Sequence, residues 1–308
     1  MAGRIPVVID TDPGIDDAAA LAVALFSPAL DVRLITTVAG NVSIEKTTRN
    51  ALRLESFLGT HVPVSRGASR PLAGIGIEAG AIHGESGLGD WDYGEAADEL
   101  LLDAGAVEAL WDAVSKAPDT VTVVTLGPLT NLAQLLRDHP DLPRVVRRVV
   151  CMGGAIRHGN VGVLSEFNVA VDPVAAMEVV ASGLDVTFVP LEVADKALIM
   201  PDGMARIAAG SRTGAVLAGM FDVYVSRPEV SVGKEMYDPT AVGYVIAPEM
   251  YHVVDCFLEV DAAACCSAGG TYFDLDGLRG HAPNVHVATS IDADAFRAWF
   301  EESLALCP

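Results

Sequence analysis

Four carboxylates crowd into the stretch VVIDTDPGIDDAAALAVALF: Asp10, Asp12, Asp16 and Asp17. Two like charges about 4 Å apart repel by roughly 4 kcal/mol at an effective dielectric near 20. Such a cluster calls for a positive partner. Helix capping accounts for one or two of the acids, at about 0.3–1 kcal/mol each beside a helix dipole, but not for four. Hard oxygen donors in number suit Ca²⁺ or Mg²⁺. An EF-hand is excluded, because its loop needs Gly where Ile15 stands and Glu where Leu21 stands. No set of His and Cys accompanies the acids, which argues against zinc.

The same D-x-D spacing also fits phosphoryl transfer of the haloacid-dehalogenase type, with Asp10 attacking phosphate and Asp12 acting as acid and base. That chemistry leaves Asp16 and Asp17 without a task. It also lacks a later lysine and acidic pair after a strand.

The acids sit where an apolar strand meets an apolar helix. Arg4–Ile9 is rich in β-branched residues, as in a strand buried on both faces, and Ala18–Phe26 reads as a helix with Asp16 and Asp17 in its first turn. The alternation continues with strand Val32–Val38, a helix from Ile44 to Leu58 (Ser43 as N-cap, Gly59 as stop) and strand Val62–Val64. Helix Ala106–Ala117, strand Thr120–Leu126, helix Thr130–Leu136 and strand Val145–Cys151 follow, then helix Pro173–Ala181 and strand Asp185–Val189. The remainder is less regular: one long helical stretch over Pro201–Val225, then strand-like pieces near Val253–Val260 and Val285–Ala288. Alternating strands and helices predict an α/β fold, a single-domain open, mostly parallel, doubly wound (Rossmann-like) sheet. No linker or repeat divides the chain, so residues 1–308 are expected to form one domain. Open parallel sheets bind ligands at the carboxyl ends of their strands. The segments TTVAGN, VTLGPLTN and MGGAIRHGN follow strands as the aspartates do, so they are expected to converge on one crevice.

Composition narrows the partners. The chain has 308 residues, 51% of them hydrophobic, with 20 Lys+Arg against 41 Asp+Glu and a formal charge of −21. That surface repels nucleic acid polymers and anionic membranes but admits a small neutral substrate. No apolar run is long enough to cross a bilayer. Five cysteines without paired spacing, and an N-terminus that enters a strand at once, point to a reduced, cytoplasmic protein.

In order, DTDPGIDDA, TTVAGN, HGESGLG, TLGPLTN and MGGAIRHGNVGVLSEFN resemble the nucleoside hydrolases, calcium-dependent enzymes that cleave the N-glycosidic bond of ribonucleosides. The likeness runs from Ile5 to about Ala247. It implies that Asp12 is both a Ca²⁺ ligand and the general base on a bound water. Asp17, the Thr125 carbonyl and Asp238 become further ligands, with Asp10 supporting them. Asp16 would hold the ribose 2′-hydroxyl, Asn160 and Glu166 the 5′-hydroxyl, and Asn168 the 3′ side. Asn41 would contact the ribose or the water, and His83 would lie near the leaving base. A homodimer or homotetramer is the family expectation. Cleavage of a C–N glycosidic bond builds positive charge on the ribose. An uncharged sugar with three hydroxyls calls for Asp, Asn and Glu rather than Arg or Lys.

Read without the resemblance, several of these residues have plainer roles. Asn41 and Asn160 suit turns after glycine. Glu166 and Asn168 would share one face of an extended segment. Asp172-Pro173 and Asp238-Pro239 both look like an N-cap followed by proline. His158 reads as a loop residue and Tyr224 as core. One position departs from the family: Tyr237-Asp238-Pro239 stands where many members have His-Asp-Pro, a histidine thought to protonate the leaving base. Tyr237 does not titrate near pH 7 without a large shift. An aromatic there instead suggests stacking on a purine, and hence a lean towards purine ribosides. A protein that binds nucleoside or ribose without catalysis is the remaining alternative.

Overall fold

The computed structural model describes residues 3–73, 76–89, 91, 94–117, 120–224 and 233–308. Its strands are β1 (Ile5–Thr11), β2 (Leu30–Thr37), β3 (Val64–Arg66), β4 (Val121–Thr125), β5 (Val146–Met152) and β6 (Val186–Val189). They continue with β7 (Leu198–Ile199), β8 (Lys234–Glu235), β9 (Tyr251–Val260), β10 (Thr271–Asp274) and β11 (Val285–Ile291). Nine of these form one sheet in the order β10-β9-β11-β6-β5-β4-β1-β2-β3. From β3 to β11 neighbours run parallel; β9 and β10 close one edge antiparallel. β7 and β8 make a separate antiparallel ribbon.

Apolar side chains alternate to both faces of the sheet, as period-2 geometry requires. Val7 and Ile9 of β1 and Val124 of β4 join one core; Val8 of β1 and Val121 and Val123 of β4 join the other. The first core is shared with helices Ile15–Phe26, Ile44–Leu58, Arg212–Val223, Asp238–Ile246 and Ala293–Leu304. The second is covered by helices Ala106–Ser115, Thr130–Asp138 and Pro173–Ala181. The chain winds outward on either side of the β1–β4 pair, so the strand order reverses there. That is the switch point at which such sheets leave a crevice. Among the described residues, no helix is long and apolar enough to cross a membrane.

Three local expectations change. The stretch expected as one helix, Pro201–Val225, is two, Pro201–Gly210 and Arg212–Val223. They are separated by Ser211 in extended backbone, whose hydroxyl caps the second by accepting the Gly214 N–H; Val225 lies outside the described residues. The first helix runs from Ile15 with Asp16 and Asp17 in its first turn, as expected, and Asp17 accepts the Gly14 N–H at 2.9 Å and closes that turn. Glu166 and Asn168 do not share one extended segment: Glu166, itself in extended backbone, caps a short helix, Phe167–Val171, that contains Asn168. Asp238 is not a cap but the first residue of its helix, with Tyr237 at the cap position and no capping bond from its side chain. Asp172 caps as expected, accepting the Ala175 N–H at 3.1 Å, and it also receives the Thr130 hydroxyl at 2.7 Å.

Candidate active site

The carboxyl ends of β1 and β4 carry the aspartates into the switch-point crevice. Asp10 pairs in register with Thr125 across the two strands. Its Oδ1 accepts the Thr36 hydroxyl at 2.5 Å and the Asn131 amide at 2.7 Å. Burial pushes its carboxyl up to about 6 despite those bonds. Its Oδ2 is buried and accepts no hydrogen bond, and like Asp12 it does not line the cleft.

Asp12 follows on the loop. Its Oδ2 accepts the Asn41 N–H at 2.7 Å, while its Oδ1 is buried and accepts no hydrogen bond. Two glycines press on it. A Cβ at Gly40 would overlap Asp12 Oδ2, and one at Gly127 would stand 2.6 Å from Asp12 Oδ1. Gly40 and Gly127 come from the loops after β2 and β4, so the carboxylate is gripped from two strand ends.

Asp17 is the best bonded of the four. It receives the Thr11 hydroxyl at 2.5 Å, the Gly14 N–H at 2.9 Å and the Asn41 amide at 3.1 Å. Asp16, Asp17 and Asp238 each present an oxygen, all within 4.8 Å of one another. All three are buried, and Asp16 Oδ1 accepts no hydrogen bond. Burial first, and Asp17's charge second, hold the Asp12 carboxyl well above its usual range and push Asp16 up to about 8. Burial and then the charge of Asp16 do the same to Asp238. Buried oxygens without donors, held close against their mutual repulsion, match what a hard divalent cation takes from a protein. The residues present therefore fit such an ion.

A cleft of about 660 Å³, counting its open mouth, lies beside this cluster. Its lining combines polar groups, among them Asp16, Asn41, Glu166, Asn168 and Asn160, with aromatic and apolar ones, among them His83, Tyr224, Tyr237, Ile82 and Phe167. Asp12, Asp17 and Thr125 do not line the cleft themselves; Asn41, which does, donates its amide to Asp17 Oδ2 and the Asp12 carbonyl. No Lys or Arg lines the cleft among the described residues.

Glu166 is fully enclosed. It accepts N–H groups from Gly154 (3.0 Å), Asn168 (2.8 Å) and Val169 (3.1 Å), yet burial still raises its carboxyl to about 7. Asn168 donates its amide to the Leu126 and Met152 carbonyls at the ends of β4 and β5, at 2.6 and 3.2 Å. Its Oδ1 is the polar atom left for a ligand. Asn160 is exposed at the rim. His83 accepts the Ile15 N–H on Nδ1 at 3.1 Å, which places a neutral ring's proton on Nε2. Burial lowers its imidazole to about 4, so it is a neutral donor, packed edge-on to Tyr224 at 5.4 Å. His158 lies apart, 2.8 Å from Asp195.

Sequence reasoning passed over Glu235 and Asn131 and read Tyr224 as core, where it does sit while also lining the cleft. Asn131 was visible within TLGPLTN, and its amide turns out to anchor Asp10 and the Thr37 carbonyl. Tyr224 and Glu235 flank residues 225–232, which lie outside the described residues, and no periodicity marks either as facing a cleft.

Comparison with known proteins agrees with this geometry. The sequence profile described as inosine-uridine preferring nucleoside hydrolase matches residues 7–298. The chain is 43% identical to the non-specific ribonucleoside hydrolase RihC of Klebsiella pneumoniae subsp. pneumoniae, over 99% of this chain and all of that protein. It is 41% identical to RihC of Salmonella agona over the full length of both. Among solved structures, a purine-preferring ribonucleoside hydrolase from Gardnerella vaginalis superposes with a TM-score of 0.90 at 30% identity, covering 97% of this chain and 98% of that one. The plant nucleoside hydrolase PpNRh1 gives 0.91 at 30% identity, covering 98% and 99%. With its switch-point crevice, its buried aspartates and these matches along nearly its whole length, the chain belongs to the inosine-uridine preferring nucleoside hydrolase family.

Proposed function

We propose that this enzyme hydrolyses the N-glycosidic bond of ribonucleosides to ribose and free base, with calcium as its cation and purine ribosides favoured. The observation that carries this reading is the pairing of a buried aspartate cluster with a cleft lined by carboxylate, amide and aromatic side chains. Asp12, Asp17, Asp238 and the Thr125 carbonyl would hold the ion, with Asp16 beside them. Bound there, calcium would supply positive charge that lowers the pKa of water and orients sugar hydroxyls.

The chain's own groups account for the remaining steps. Asp12 Oδ1, short of a donor, takes the proton from the attacking water. Asp16 and Asn168 Oδ1 accept from the 2′- and 3′-hydroxyls, and Asn160 and Glu166 hold the 5′ side. Asn41 keeps Asp12 and Asp17 in place. Positive charge growing on the ribose meets carboxylates and no cationic side chain. At the other end Tyr237 and Tyr224 face the base, and His83 offers its Nε2 proton. Stacking of Tyr237 on a bicyclic base supports the purine preference, at about 0.5–1.5 kcal/mol beyond area burial. Assembly as a homodimer or homotetramer in the cytoplasm belongs to the same reading.

Release of reducing sugar from inosine and uridine, with calcium and then with chelator, tests the proposal. Calcium-dependent release, faster on inosine, is expected. Release that persists unchanged in chelator would refute the role of the ion, and negligible turnover of inosine beside rapid turnover of uridine would refute the purine preference.

A further inference from the structure

Glu235 is buried to 1% and lines the cleft together with Tyr224, Tyr237 and Asp238. Its backbone is pinned. It pairs with Leu198 across the β7–β8 ribbon, and the next N–H, that of Met236, donates to the Ala197 carbonyl at 3.2 Å. Alternation along this strand sorts the side chains. Lys234 turns away to the Tyr224 carbonyl at 2.9 Å and Met236 enters the core, while Glu235 and Tyr237 both reach the cleft. The charge of Glu235 acts on both Asp16 and Tyr224, adding to what raises each of them. The carboxyl is thus within electrostatic reach of the sugar-side aspartate and of the aromatic wall. Neither the cation nor the sugar hydroxyls require it.

We propose that Glu235 is a specificity-determining residue whose carboxylate accepts hydrogen bonds from N–H groups on the pairing edge of the nucleobase, with guanosine the best match. The inference rests on the reading that a ribonucleoside lies in this cleft with its base towards Tyr224 and Tyr237. An ionised carboxylate offers acceptors only, and its bonds are charge-assisted. Guanine presents N1–H and N2–H side by side, which two carboxylate oxygens can receive together. Hypoxanthine presents N1–H alone. Uracil presents N3–H between two carbonyl oxygens, which face the carboxylate unfavourably. A site that hydrogen-bonds a substrate group discriminates against the analogue lacking it.

The test is kcat/KM for guanosine, inosine and uridine with the calcium-loaded wild type, Glu235→Gln and Glu235→Ala. The wild type should prefer guanosine to inosine by about 10-fold, the low end for a hydrogen bond to a charged group. Glu235→Gln keeps the shape but turns one acceptor into a donor that faces guanine's own N–H. The guanosine-to-inosine ratio should therefore fall about 10-fold, mainly through KM, and Glu235→Ala should lower it as well. An unchanged ratio in both variants overturns the assignment, whatever the absolute rates, because a structural role would damage all three substrates alike. If neither variant folds, the wild type still decides: inosine or uridine preferred over guanosine overturns it. A wild type that cleaves none of the three removes the reading of the cleft as well; one that cleaves them with an unmoved ratio removes only the role of Glu235.

Discussion

Adding one methyl group at Gly40 should disable the enzyme without unfolding it. A Cβ there would overlap Asp12 Oδ2 and stand 2.9 Å from both Asp12 Cγ and Pro128 Cδ. Carbon atoms pack comfortably at about 3.5–4.0 Å. The Asp12 carboxylate must therefore shift by about 1 Å, since the Pro128 ring blocks movement of the new methyl the other way. The shift strains the 2.7 Å bond from the Asn41 N–H and turns Oδ1 off its present aim. A misplacement of about 1 Å can lower turnover about 10²-fold, or about 2.7 kcal/mol in the barrier. Gly210→Ala is the matched control, because a Cβ at Gly210 meets nothing within 4 Å and the residue closes a helix. Ribose release from inosine at saturating calcium, together with thermal melts, would measure both variants. Gly40→Ala should lose about two orders of magnitude in kcat/KM, and Gly210→Ala should be within about 2-fold of wild type. A Gly40→Ala protein with normal turnover would show that the position of Asp12 does not govern the reaction.

Calcium should stabilise the fold by about 2.7 kcal/mol at 100 times its dissociation constant, read as a rise in melting temperature that Asp17→Ala abolishes; equal melts with calcium and with chelator would contradict the cation site. Glu166 makes stability depend on pH. Its carboxyl is raised from 4.5 to about 7 in the fold, so its contribution is most favourable below pH 4.5 and is lost as pH rises through about 7, by about 3 kcal/mol. Urea unfolding at pH 5 and pH 8 should show that slope reduced in Glu166→Gln; parallel slopes for the two proteins would refute it. Tyr237→Phe should keep most activity on inosine while Tyr237→Ala loses much of it, if the ring stacks on the base; a phenylalanine variant nearly as damaged as alanine would make the hydroxyl, not the ring, the working part.

The central strands were legible because strands buried on both faces read as apolar, β-branched runs: β4 and β6 are such runs throughout, β1 is one up to Ile9, and β2 and β5 become one in their second halves, after Arg33 and Arg148. Their order was not legible, since it depends on which apolar faces meet after the chain turns. Two-residue strands such as β7 and β8 carry no periodicity at all, and Glu235 was missed with them. The division at Ser211 was hidden because AAGSRTG holds no proline and continues the helical spacing; a hydroxyl that caps Gly214 decides it. The aspartates stood out because their like charges demand an explanation. Their differences did not. Only the structure shows that Asp10 is tied by Thr36 and Asn131 and Asp17 by Thr11, Gly14 and Asn41, and that Asp10, Asp12 and Asp16 each keep one buried oxygen lacking a donor. The Glu166 cap was equally hidden, because a buried carboxylate facing three backbone N–H groups leaves no pattern in sequence.

The most direct measurement of the central claim is single-turnover cleavage of inosine by calcium-loaded wild type and Asp12→Asn, following ribose and hypoxanthine together. Asn keeps the size of Asp12 but cannot take a proton. The account predicts equal amounts of ribose and hypoxanthine from the wild type, and a rate lower by about 10²–10⁴-fold in Asp12→Asn, the usual scale for a general base. An Asp12→Asn enzyme that cleaves inosine at a rate close to wild type would contradict it.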